Sequence, residues 1–307
     1  MDSTVGVVSP VQMDIAQSIR EMGRNFNQEV LKATYDLFVP LHERTNKSGV
    51  VRHMDVAYGD HERHRLDIFT PEQKPEAPAA VVVYVHGGGY VAGERSPFPG
   101  LIYDNVPTFF ARNGMIGVNA TYRLAPDHKW PCGALDVGAV VAWLRANIAG
   151  HGGDPDRIFL MGQSAGATHV AAYSFVEEVH GLSGPGNAGA ILLSGVFAPS
   201  DPVFSPGPPA PVSIAYYGED ASKWPAMSPL HHVRPGHPPV YIAATEFDPY
   251  PLAWATPALI AELTKGDKAL PWYRLLRDHN HVSSAMQINS EIDFLGPELL
   301  EFIASIG

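Results

Sequence analysis

The stretch Gly162-Gln163-Ser164-Ala165-Gly166 constrains this chain more than any other. The apolar run Ile158-Phe159-Leu160-Met161 precedes it, bounded upstream by Gly152-Gly153-Asp154-Pro155, and an alanine-rich segment of helical character, residues 165–179, follows. The pattern reads as strand, tight turn, helix. A serine at such a turn is lifted clear of the sheet edge with its hydroxyl exposed. The glycines two residues to either side are required because strand and helix pass too close there for a side chain. A five-residue match arises by chance, but the surrounding strand and helix raise it above a plain Gly-Ser turn.

Further runs around this turn alternate in the same sense. Residues 80–85, 116–120, 158–161, 190–193, 240–244 and 272–276 are short and continuously apolar, as strands buried on both faces are. Helical segments are expected at residues 107–112, 133–149, 165–179, 253–263 and 297–306. Residues 50–58 and 63–69 alternate and flank Gly59-Asp60-His61-Glu62, which predicts an antiparallel hairpin at a sheet edge. An α/β domain follows: eight strands, mostly parallel, with helices on both faces. Two segments stand outside the alternation. Residues 13–43 carry helical periodicity through Ile15, Ile19, Met22 and Phe26, then Val30, Leu31, Tyr35 and Leu37, with Pro40 as the expected stop; they serve either as a packing arm or as part of a lid. Residues 196–239 are Pro-rich and dotted with Phe197, Phe204, Tyr216, Tyr217 and Trp224, a second lid candidate, because a long irregular segment in a compact domain usually has a function.

Charge and cysteine content narrow the function. A net charge of −11 disfavours nucleic acid and anionic membranes as partners, since both require a basic surface. One cysteine, Cys132, allows no internal disulfide. Residues 1–12 lack a basic segment followed by an apolar one, and no apolar run was expected to approach the ~20 residues of a membrane span. These features predict a cytoplasmic protein. The 14 histidines lack the spacing of a metal site, so no metal is expected.

Serine chemistry needs a base, an acid to orient it, and donors for an oxyanion. His86-Gly87-Gly88-Gly89-Tyr90 directly follows the strand ending at Val85, and its glycines let backbone N–H groups face a site at the same sheet edge as Ser164. The acid is expected after residues 240–244, where Asp248 is preferred and Glu246 is the alternative. The base is expected after residues 272–276, where His281 is preferred over His279 because it leads into a helical segment.

His86-Gly87-Gly88-Gly89, Tyr122-Arg123-Leu124-Ala125-Pro126, Gly162-Gln163-Ser164-Ala165-Gly166, Phe247-Asp248-Pro249 and His281, in this order, resemble the α/β-hydrolase esterases of the hormone-sensitive-lipase group and the related kynurenine-formamidase-like hydrolases. The resemblance runs from about residue 50 onward. It implies an α/β-hydrolase fold with nucleophile Ser164, base His281 and acid Asp248, and an oxyanion hole formed by Gly88, Gly89 and Ala165. It also implies a cap built from residues 1–45 and an insertion around 197–238, on a catalytic domain of residues 46–307. Gln163 stands where lipase-group members commonly carry Asp. The strings His279-Asn280-His281-Val282-Ser283 and Tyr216-Tyr217-Gly218-Glu219-Asp220 look closer to the formamidases. The expected function is cofactor-free hydrolysis of small, rather apolar carboxylic esters, with an arylformamidase-like amide hydrolase or a non-catalytic ligand receptor as alternatives. Tyr90, Phe197, Tyr216, Trp224 and Val282 are the expected pocket residues, and a homodimer is one expected assembly.

Overall fold

The computed structural model describes residues 9–199 and 210–306; Phe204 lies outside them. The eight strands are β1 (Val50–Ala57), β2 (Arg65–Pro71), β3 (Ala79–Val85), β4 (Ile116–Ala120), β5 (Gly153–Gln163), β6 (Gly189–Leu193), β7 (Val240–Phe247) and β8 (Trp272–Asn280). They form one sheet in the order β1-β2-β4-β3-β5-β6-β7-β8. β2 runs antiparallel to both β1 and β4, and every other pair is parallel. The expected edge hairpin and the mostly parallel sheet are both present.

The helices are α1 (Pro10–Met22), α2 (Gln28–Arg44), α3 (Asn105–Arg112), α4 (Cys132–Asn147), α5 (Ala165–Phe175), α6 (Glu177–His180), α7 (Pro211–Tyr217), α8 (Tyr250–Asp267), α9 (Ser283–Met286) and α10 (Leu295–Ser305). Continuous apolarity in the strands has a direct cause. In β3, Val81, Val83 and Val85 enter a core shared with α4, α5 and α8, while Ala80, Val82 and Tyr84 enter a second core shared with α1, α2, α3 and α10. Because successive side chains point to opposite faces, both parities must be apolar when both faces are covered.

Three expectations are corrected. Pro40 does not stop α2, which continues to Arg44; the carbonyl that loses its partner belongs to Asp36, an exposed residue, where the missing N–H costs least. Residues 196–239 are not structureless: the described part holds α7 and two 3-10 turns, Ala221–Met227 and Pro229–His232. Lastly, Cys132–His151, α4 with the turn after it, is long and apolar enough to cross a bilayer by length and composition. Its Ala134, Val137, Val140, Val141 and Leu144 are buried in the core, so here it is a core helix.

Candidate active site

Ser164 follows β5 directly and holds φ 55° and ψ −122°, a backbone conformation that side chains rarely adopt and that the elbow imposes. The flanking glycines are needed for space. A Cβ on Gly162 would lie 2.4 Å from the backbone of Gly166, and one on Gly166 would lie 2.1 Å from the carbonyl oxygen of Val85.

His281 and Asp248 arrive from the last two strands. His281 Nε2 lies 2.8 Å from Ser164 Oγ, and His281 Nδ1 lies 2.9 Å from Asp248 Oδ1. A carboxylate only accepts, so Nδ1 carries the proton and Nε2 is left as the acceptor for the serine hydroxyl. Asp248 Oδ2 accepts from Ser194 Oγ (2.7 Å) and from the Thr245 N–H (2.9 Å). Asp248 and His281 are buried, so these hydrogen bonds hold them with little competition from water.

The alternatives occupy other places. Glu246 accepts from Arg277 and from the Asp278 N–H. His279 lies within β8, one residue before its end; its Nδ1 is 2.9 Å from Ser283 Oγ, and burial pushes its pKa down to about 4. Between the pairs Thr245↔Leu276 and Phe247↔Asn280 the register shifts, β8 carrying two more residues than β7. Asp278 lies in this bulge at φ 60°, its side chain held by Arg20 at 2.7 and 2.9 Å. Bulges re-aim the residues that follow them, and here His281 follows.

The glycine loop after β3 lies beside Ser164. Gly88 has φ 132°, and a Cβ there would meet the Ala92 carbonyl oxygen at 1.9 Å. Among the described residues no hydrogen bond uses the N–H of Gly88, Gly89 or Ala165. Ala165 is the first residue of α5, where a helix has no internal partner for its N–H. Three free donors therefore flank the serine.

Several residues hold this frame in roles that sequence reasoning did not assign. Gln163 Nε2 donates to the carbonyl of His281 at 2.8 Å, a bond that an aspartate at this position could not make. Ser194, buried and at φ 49°, holds Asp248. The Tyr122 hydroxyl donates to the His86 carbonyl (3.0 Å), with the two rings stacked 4.6 Å apart. Arg63 donates to the carbonyls of Tyr122 and Gly93, both at 2.8 Å, and so ties the β1–β2 hairpin to the end of the glycine loop. A polar residue inside a motif or next to one was the available signal, but its partner lies far away in sequence.

Of the five expected pocket residues, Tyr90, Tyr216 and Trp224 are brought together and Phe197 and Val282 are not. Tyr90 stacks on Tyr216 at 4.5 Å and 7°, and with Tyr217, Trp224 and Ala165 they make a dry cluster beside the glycine loop. Phe197 lies in the core on the α5 face and Val282 in the core on the α10 face. The apolar side chains left exposed near the triad geometry are different ones. Phe26, between α1 and α2, meets the His281 ring edge-on at 4.9 Å. Val212 on α7 would touch a Cβ on Gly89 at 3.5 Å. Tyr250 stands two residues after Asp248, and Trp254 lies 5.2 Å from it ring to ring. Among the described residues no group of three or more His, Cys, Asp or Glu side chains could hold a metal.

Residues 66–185 match the BD-FAE family model. The chain superimposes on solved esterases: an arylesterase (TM-score 0.67, 18% identity, 98% of this chain and 99% of the other) and esterase B from Lactobacillus rhamnosis (TM-score 0.72, 17% identity, 96% of each). The chain has the α/β-hydrolase fold. At these identities the structural likeness establishes the fold alone. In sequence the chain is similar to proteins named as esterases. Esterase LipC of Mycobacterium tuberculosis is 35% identical over half of this chain and 41% of its own length, and esterase LipQ of the same organism is 29% identical over 79% of this chain and 61% of its own length. The chain thus spans roughly half the length of these curated relatives.

Proposed function

We propose that the chain hydrolyses small carboxylic esters by transferring the acyl group first to Ser164 and then to water. The observation that carries this reading is the unbroken line from Asp248 through His281 to Ser164, with 2.9 and 2.8 Å steps. In acylation, Ser164 Oγ attacks the ester carbonyl carbon as His281 Nε2 takes its proton. The resulting oxyanion is met by the free N–H groups of Gly88, Gly89 and Ala165. Collapse breaks the bond to the alcohol oxygen, which leaves with the proton from Nε2. Water, deprotonated by the same nitrogen, then attacks the acyl carbon; the bond to Ser164 Oγ breaks, the acid leaves, and Oγ takes the proton back from Nε2. Asp248 keeps Nδ1 protonated and supports the imidazolium charge.

The tip between α1 and α2, together with α7, forms the cap in this reading, on a catalytic domain that begins near residue 46. Phe26 and Val212 give the acyl group apolar walls. A single cysteine that is free suits a reducing compartment, the cytoplasm. The test is covalent labelling with a serine-directed phosphonate alongside turnover of p-nitrophenyl acetate. Labelling should map to Ser164, and Ser164→Ala should lose it while staying folded, with turnover reduced by several orders of magnitude. A label on Ser194 or Ser283 would overturn the assignment.

A further inference from the structure

Next to the proposed triad lies a cavity of about 420 Å³ lined by Arg24, Tyr250, Ala253, Trp254 and Pro257. That volume falls within the range of roughly 300–1,000 Å³ usual for small-molecule sites. One wall comes from a segment that touches the triad, and the other follows Asp248 in the chain. Arg24 Nη1 donates to the backbone carbonyl of Asp248 at 2.7 Å, and Phe26, two residues on, meets the His281 ring. Tyr250 opens α8 two residues after Asp248. The cavity therefore adjoins the backbone of Asp248 and the segment that meets the His281 ring.

The lining has a definite chemistry. Tyr250 and Trp254 sit one helical turn apart, 51% and 40% exposed, their ring centroids 5.2 Å apart at 57°. Neither ring belongs to the two large cores or to the smaller aromatic cluster. Arg24 spends one N–H on Asp248, and among the described residues no carboxylate pairs with it. A guanidinium has five N–H donors in a planar fork that fits a carboxylate, while two aromatic rings present faces and edges to a third. By contrast, the larger cavity of about 570 Å³ between α1 and β8 contains Arg20 and Arg277, which Asp278 and Glu246 already neutralise.

We propose that the Arg24–Tyr250–Trp254 cavity binds the alcohol portion of the substrate and that this portion is an aromatic ring bearing a carboxylate. This rests on the esterase reading above and specifies its substrate: a small apolar acyl group joined to a carboxylated phenol. The acyl group faces Phe26 and Val212, the carboxylate meets the unused edge of Arg24, and the ring lies against Tyr250 and Trp254.

The experiment compares kcat/KM for 4-carboxyphenyl acetate and its neutral counterpart 4-carbamoylphenyl acetate, at constant ionic strength, in the wild type and in Arg24→Gln and Arg24→Lys. The expected wild-type preference for the carboxylate is roughly tenfold or more, expressed in KM. Arg24→Gln should bring the ratio near one, and Arg24→Lys should keep part of it. Hydrolysis of both esters at similar rates by the wild type, or a preference that survives Arg24→Gln, overturns this inference and leaves the esterase reading intact. If neither ester is hydrolysed and phosphonate labelling also fails, the esterase reading falls and takes the inference with it. Should Arg24→Gln not fold, inhibition of p-nitrophenyl acetate turnover decides: 4-hydroxybenzoate should inhibit the wild type at a concentration roughly tenfold below 4-hydroxybenzamide, and equal inhibition overturns the proposal.

Discussion

His281 depends on three groups at once: Asp248 sets its tautomer, Gln163 fixes its backbone, and Ser194 fixes Asp248. Groups that act as a unit are not additive when removed. His281→Ala should therefore cost about as much turnover as Ser164→Ala, with the double variant scarcely worse, and steady-state kinetics on p-nitrophenyl acetate would show it. Ser194→Ala removes one of three hydrogen bonds to a buried acid. It should lower kcat by roughly tenfold, since a bond to a charged group contributes about 1.5–3 kcal/mol, while phosphonate still labels Ser164. An unchanged kcat would mean that the Thr245 N–H alone holds the carboxylate. His279→Ala should retain most of the activity, because that ring faces Ser283 and not the nucleophile.

Two elements reach from outside the sheet core to the site, and each has a structural end and a site-facing end. α1 and α2 bury Ile19 and Phe38 fully against the sheet, whereas Phe26 at their tip is 53% exposed. Phe38→Ala should cost about 3–5 kcal/mol in denaturant unfolding, as large-to-small changes in a packed core do. Phe26→Ala should leave the unfolding midpoint nearly unchanged and shift the ratio of acetyl to longer acyl esters, each methylene in such a pocket being worth about 1 kcal/mol. The β1–β2 hairpin has the same division: it closes the sheet edge while Arg63 in its turn grips the glycine loop through Tyr122 and Gly93. Arg63→Ala frees that loop, so kcat should fall by roughly 10-fold or more with KM little altered, because the donors it steadies act on the oxyanion more than on the ground state.

Across the whole molecule, burial keeps three histidines neutral. His86 and His279 have pKa values lowered to about 4 and His169 to about 3, in each case first through desolvation. Each folded value lies below the usual 6.5, so the unfolded chain binds these protons first. The stability they contribute is complete above about pH 6.5 and is lost as the pH falls toward 4. On this account the unfolding free energy should drop between pH 7 and pH 5 by about 2 kcal/mol per histidine, and His279→Gln should flatten that slope by about a third. A wild-type stability that is level from pH 7 to 5 would contradict the account. Each buried ring is held by neighbours on different elements: His86 stacks on Tyr122, and His169 lies against Tyr90, Tyr122 and Tyr216.

Sequence alone determined the elements whose residues lie next to one another in the chain. The elbow at Ser164, the glycine loop after β3, the run of doubly buried strands and the edge hairpin are all local patterns, because the period of a strand and the steric demand at a tight turn act over a few residues. The same locality placed Asp248 and His281 on the loops after β7 and β8, though it could not choose between neighbours such as His279 and His281. That choice was made by the bulge in β8, which exists only when β8 is paired to β7. Tertiary structure also decided which aromatics face the site. Tyr216 and Trp224 were drawn into a dry cluster and Phe197 and Val282 into the two large cores, while Phe26, Val212, Tyr250 and Trp254 were left at the rim. Hydrophobicity says that a ring is to be covered, but which surface covers it depends on contacts between segments hundreds of residues apart. Arg24 is the clearest case: nothing around it in the chain marks it, and it meets the Asp248 carbonyl 224 residues away only once α1 and α2 have packed against the sheet.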